Sequence, residues 1–188
     1  MSTASVHARA HPAPAGLQSA RRMQPAPLVP TLEGQPAGAE TASSVSRVMD
    51  MMGGPKVLKA APLSRAEVHD LIQSGLPTRS VNALVSGAVL LSSEQMLDAI
   101  GISLRTYQRF KGARDGSLSS EQSDRAWRLS ELLVKAAELF GSKQEAERWF
   151  DTPAPALERK KPIELMGSSV GARMVEQLLG RIEHGVYT

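Results

Sequence analysis

Apolar residues recur every three or four positions along this chain, in run after run, and nearly every run stops at a glycine or a proline. That spacing marks short amphipathic helices. Val45, Val48, Met49 and Met52 make the first run, which Gly53-Gly54-Pro55 breaks. Ser64 opens the next, and Glu67 completes a capping box; Val68, Leu71 and Ile72 form its stripe and Gly75 ends it. Pro77 sits where a first-turn proline is tolerated, ahead of Val81, Leu84 and Val85 and a stop near Gly87. A helix over residues 92–100 turns Met96, Leu97 and Ile100 inward and ends at Gly101. Ser103 caps another, containing Leu104, Tyr107 and Phe110 and closed by Gly112 and Gly116. A long helix over residues 119–140 carries Leu129, Leu132, Leu133, Ala136 and Phe140 and ends at Gly141. Ser142 and Glu145 cap the next, which holds Ala146, Trp149 and Phe150. Pro153, Pro155 and Pro162 mark an extended, turning stretch. The last helix, over residues 170–184, buries Val175, Leu178, Leu179 and Ile182, and Gly185 caps it. No strand pattern and no internal repeat is visible, so the expected class is all-α.

Composition supports this. Aromatics are 4% of 188 residues, so the core must be aliphatic and methionine-rich, a mix that favours helices. The absence of cysteine excludes disulfides, thiol catalysis and cysteine-based metal sites, and fits a cytoplasmic protein. No apolar run approaches the roughly 18–20 residues that span a bilayer, and no secretory signal is visible, so no membrane partner is expected. A net charge of +3 permits nucleic-acid binding without demanding it. Residues 1–43, with Pro12, Pro14, Pro25, Pro27, Pro30 and Pro36 among small residues, read as a disordered tail. Its Arg9, Arg21 and Arg22 leave DNA contact and a transit peptide open. Two helical domains are expected after it, over residues 44–128 and 129–188.

Residues 92–110 have the shape of a helix-turn-helix, with Gly101-Ile102-Ser103 as the tight turn. In that geometry the start of the second helix faces the major groove. Arg105, Thr106 and Arg109 then reach bases or phosphates, and Lys111 and Arg114 extend the contact. Arginine suits the task because its planar fork binds guanine or phosphate bidentately. Residues 103–117 hold four basic side chains against one acid, Asp115. The alternative is an ordinary helical pair with solvated arginines.

Catalytic constellations are absent. His7, His11, His69 and His184 are scattered, and His184 suits a helix C-terminus. Gly53, Gly54 and Lys56 lack the full phosphate-loop pattern. Glu145 and Glu147 sit on a charged helix and read as solvated. No metal, cofactor or catalytic residue is expected.

The C-terminal part carries linked features. Residues 137–141 (AELFG) lead into 145–150 (EAERWF), then Pro155-Ala156-Leu157, then 162–165 (PIEL), then Gly171-Ala172-Arg173 and 175–187 (VEQLLGRIEHGVY). With Gly75-Leu76-Pro77 and 102–106 (ISLRT) upstream, the chain from Gly53 to Thr188 resembles the Xre/MbcA/ParS antitoxins, which pair an Xre-like helix-turn-helix with a helical toxin-binding domain. It departs from them at 152–157 (TPAPAL), where asparagine is usual between the proline and the leucine-containing turn.

The resemblance implies a partner, a RES-domain toxin that degrades NAD or transfers its ADP-ribose. It implies a toxin-binding set of Trp149, Phe150, Leu157, Arg173, Arg181, Glu183, His184, Gly185, Val186, Tyr187 and Thr188, with the last residues plugging the NAD pocket. It further implies operator binding by the complex and a homodimer within a hetero-oligomer. The residues alone leave other roles open: Trp149 packed inside its own domain, Arg173 in a surface ion pair, and a frayed terminus. A stand-alone helix-turn-helix regulator is the alternative function.

Overall fold

The computed structural model describes residues 37–62, 64–112 and 116–185. The expected tail therefore lies mostly outside the described residues, and its last part, 37–43, is helical. Helix α1, Ala37–Met51, is followed by α2, Gly54–Leu58, a short helix where the sequence suggested only a turn. Then come α3, Arg65–Ser74, α4, Thr78–Ser86, α5, Ser93–Ile100, and α6, Leu104–Gly112. The long α7, Ser120–Phe140, leads to α8, Lys143–Phe150. A single 3-10 turn, Pro155–Leu157, precedes α9, Pro162–Leu165, and α10, Ser169–Glu183. Helix α9 lies in the stretch expected to be extended; with Pro162 at its first turn it is too short to show a hydrophobic period.

The helix starts follow the capping chemistry. Ser64 accepts from the Glu67 amide at 3.2 Å while Glu67 Oε2 accepts from the Ser64 amide at 3.1 Å. Ser92 with Gln95, and Ser119 with Gln122, form the same reciprocal box. Ser142 caps α8 on one side only, accepting from the Glu145 amide at 3.1 Å.

Helix α7 is the axis of the fold, and α1, α3, α5, α8 and α10 all pack on it. Its buried side includes Ala126, Trp127, Leu129, Leu132, Leu133 and Ala136. From α1, Val45, Val48 and Met49 join this core, with Met52 just beyond. Burying each such side chain contributes about 1.5–3 kcal/mol. The segments before α4 and before α7 are strapped together. The Thr78 amide donates to Gly116 O at 2.8 Å and the Leu118 amide to Leu76 O at 2.9 Å. Gly75 makes this approach possible: at φ 85° a side-chain carbon there would sit 2.5 Å from Leu118 O. The described residues belong to one compact unit. Arg128 and Leu129, where two domains were expected to meet, are consecutive residues within α7.

Candidate functional site

Two outward faces collect the candidate residues. The first is α6. Its preceding turn is a Schellman motif: the Gly101 amide donates to Asp98 O at 3.0 Å and the Ile102 amide to Leu97 O at 2.9 Å. Gly101 has φ 79°, and a side-chain carbon there would lie 2.6 Å from Arg125 Nη1. Ser103 then caps α6, its Oγ accepting from the Thr106 amide at 3.2 Å. Tyr107 pins the helix inward; it is buried, and its hydroxyl donates to Asn82 Oδ1 at 3.0 Å.

With Tyr107 inward, helical phase places Arg105 and Arg109 outward, and both are exposed, as are Leu104 and Gln108. Helix α6 carries no acidic residue. Among the described residues no ion-pair partner reaches Arg105 or Arg109. Lys111 is exposed but stands over the Tyr107 ring, 5.6 Å from its centroid. Thr106 is half-buried and its Oγ1 accepts from Ser103 Oγ at 2.9 Å, so the cap occupies it. Arg114 lies outside the described residues. Leu104, one of the apolar residues that the sequence places in this helix, is 51% exposed.

The second face is α10. Val175, Leu178 and Leu179 are buried as expected, with Gly171 and Ala172 beside them. The opposite phase gives a stripe of Val170, Arg173, Met174, Gln177, Arg181 and His184, about 21 Å long at 1.5 Å per residue. Val170, which sequence reasoning passed over, is 71% exposed at the head of this stripe. Among the described residues neither Arg173 nor Arg181 has an ion-pair partner. Glu183 points elsewhere and meets Lys135 of α7 at 2.9 Å. That hydrogen bond holds the Glu183 carboxyl below its usual range. His184 and Gly185 close the helix, with Gly185 exposed at φ 70°. Val186, Tyr187 and Thr188 lie outside the described residues.

The aromatic block behaves differently from one residue to the next. Trp149 is half-buried, with ring centroids 5.6 Å from Phe140 and 5.3 Å from Phe150. Phe150 is 0% exposed and Leu157 1%, so both belong to the chain's own core and present no side chain to a partner. A rotation of 100° per residue on α8 separates Trp149 from Phe150.

Glu147 corrects the reading of a solvated acid. It is 1% exposed, and its Oε2 accepts from the amides of Val89, Leu90 and Leu91 at 2.7, 2.6 and 3.2 Å. Lys143 Nζ lies 3.9 Å from its Oε1 and donates to Gly87 O at 2.5 Å. Helix α8 thereby grips the loop that enters the helix-turn-helix and holds up its exposed Val89 and Leu90. Phase could have revealed this, because Glu147 shares a face with Phe150 three residues on. Asp151, just past α8, ties the same helix pair: it accepts from Gln95 Nε2 of α5 at 2.6 Å and from Lys161 Nζ at 2.9 Å. The Lys161 bond, more than the Gln95 bond, lowers the Asp151 pKa.

No cluster of three or more metal-binding side chains occurs among the described residues, and no helix there is long and apolar enough to cross a membrane.

Comparison with known proteins matches two stretches of the chain, one containing α6 and the other α10. Residues 67–131 match the antitoxin Xre-like helix-turn-helix domain, and residues 135–185 match the antitoxin Xre/MbcA/ParS C-terminal toxin-binding domain. Antitoxin Xre of Yersinia enterocolitica is 33% identical over 129 residues, 68% of this chain and 86% of that protein. Antitoxin Xre of Photorhabdus laumondii is 28% identical over 65% of this chain and 82% of the relative. The Prs ADP-ribosylating antitoxin of Sphingobium sp. is 25% identical over 69% of this chain and 84% of its own length.

Proposed function

The chain belongs to the Xre/MbcA/ParS family of antitoxins, and we propose on that premise that it neutralises a RES-domain, NAD-consuming toxin by direct binding. The observation that carries this reading is the outward stripe of α10. Val170, Arg173, Gln177 and His184 are exposed, neither Arg173 nor Arg181 has an ion-pair partner among the described residues, and the stripe runs straight to His184 and Gly185. Surfaces rich in arginine with apolar neighbours supply binding hot spots; Val170 and Met174 are the apolar members of this stripe. The stripe seats on the toxin, and the segment after Gly185 closes the NAD pocket. The chain itself is non-catalytic, and its site of action is the cytoplasm. The name of the Sphingobium relative favours ADP-ribosylation as the toxin's reaction.

In the same reading α6 binds the operator of its own operon. Arg105 and Arg109, four residues apart on one face, contact phosphates or guanines. A homodimer within the toxin complex offers two such helices to half-sites about 34 Å apart.

The test is co-expression with a RES-domain protein, sought first among those encoded beside this chain, followed by measurement of NAD consumption. Wild type suppresses consumption. Deletion of residues 183–188 restores it while leaving operator binding intact, since among the described residues it removes the exposed Lys135–Glu183 pair and the last backbone bonds of α10, far along the chain from α6. Full suppression by the truncated chain would remove the pocket-closing segment from the mechanism.

A further inference from the structure

The turn after the 3-10 helix holds two consecutive residues with left-handed backbone, Glu158 at φ 57° and Arg159 at φ 61°. A lone side-chain-bearing residue there is familiar as a helix cap, as at Lys59 with φ 55°. Two in succession are strained, because each Cβ crowds its own carbonyl. Glycine would adopt both conformations without that crowding.

The surroundings impose the conformation. Leu157 is 1% exposed and anchors the turn in the core. The Leu157 and Arg159 amides both donate to Ala154 O at 3.0 Å, and the Ala154 amide donates to Lys160 O at 3.1 Å. These bonds are all backbone bonds and need no particular side chain at 158 or 159. The turn's own stability therefore gives no reason for Glu and Arg in place of glycine.

The side chains face outward. Glu158 has an internal partner, Lys160 at 3.7 Å. Arg159 is exposed, and among the described residues its guanidinium has no ion-pair partner. The 3-10 turn Pro155–Leu157, two residues before Arg159, packs on α10, and both fall within the stretch matched by the toxin-binding domain.

We infer that Arg159 is a specificity-determining contact, held out on a strained turn to bind a carboxylate on the toxin. This rests on the antitoxin reading above and adds to it a residue and a chemistry. Arginine forms a bidentate pair with carboxylate that lysine does not reproduce.

The test compares the full chain with Arg159→Gly, Arg159→Lys and Glu158→Gly, measuring Tm and the Kd for the RES-domain protein used in the co-expression test at low and high salt. Arg159→Gly is expected to raise Tm, weaken binding by about tenfold, and flatten the salt dependence. Arg159→Lys is expected to leave Tm unchanged and fall between in affinity. Glu158→Gly is expected to raise Tm and leave binding unchanged, which separates strain from recognition. Unchanged affinity in Arg159→Gly overturns the inference, and so does a lowered Tm in both glycine variants. Failure of the wild-type chain to bind the RES-domain protein overturns the antitoxin–toxin pairing itself, a result distinct from a silent Arg159 variant.

Discussion

Helices α6 and α8 are almost the same length, nine residues and eight, and both are rich in charge. They use that charge in opposite directions. Helix α8 turns Glu147 inward, onto three amides of the loop entering α5. Helix α6 turns Tyr107 inward and leaves Arg105 and Arg109 in solvent. Charge content does not separate the two roles. Phase relative to the buried residues does: Glu147 shares a face with Phe150, whereas Arg105 and Arg109 stand away from Tyr107.

The largest effect expected from this contrast is on stability. Glu147→Ala strands three loop amides and leaves Lys143 without its carboxylate, a loss of about 3 kcal/mol. Calorimetry should show Tm falling by roughly 6–12 °C. Glu147→Gln should lose less, since all three bonds end on one oxygen that an amide can replace. A small loss in Glu147→Ala would mean that the loop holds itself.

Next comes the outward helix. Arg105→Ala with Arg109→Ala should leave Tm within error and weaken operator binding by about 1–3 kcal/mol, with the log–log salt slope shallower by about two. Electrophoretic or fluorescence titration at several salt concentrations checks this, and an unchanged slope would move DNA contact off α6.

The smallest effect belongs to Asp151, which is neither buried nor free. Its folded-state pKa is lowered by Lys161, so its contribution is present above the unfolded carboxylate pKa of about 3.9 and is lost as pH falls toward the lower folded value. Asp151→Asn should therefore lower stability slightly at neutral pH, where the contribution is present, and converge with wild type at the acid end, so that the acid limb flattens. An equally steep acid limb in the variant would assign that limb to other carboxylates.

Much of the helical order was legible because local rules decide it. The Ser64 capping box, the stops at Gly75, Gly101 and Gly141, and the Met96, Leu97 and Ile100 face all depend on residues within one or two turns. What escaped depends on distant partners or on segments too short to show a period. Glu147 reads as solvated until the Val89–Leu91 amides are brought to it from 56 to 58 positions away. Trp127 drew no notice in the sequence yet is buried at 2% exposure in α7. Within the toxin-binding set, adjacent Trp149 and Phe150 could not be told apart by type, and only their phase on α8 decides which one the core takes. The stripe on α10 was visible only in part, because Val170 lies at the helix start, where periodicity has just begun.

Helix α7 has a consequence for how such a molecule fails. It joins the stretch that carries α6 to the stretch that carries α10, so a substitution that unwinds it, unlike the loss of an exposed arginine or of the last residues, is expected to loosen both stretches together.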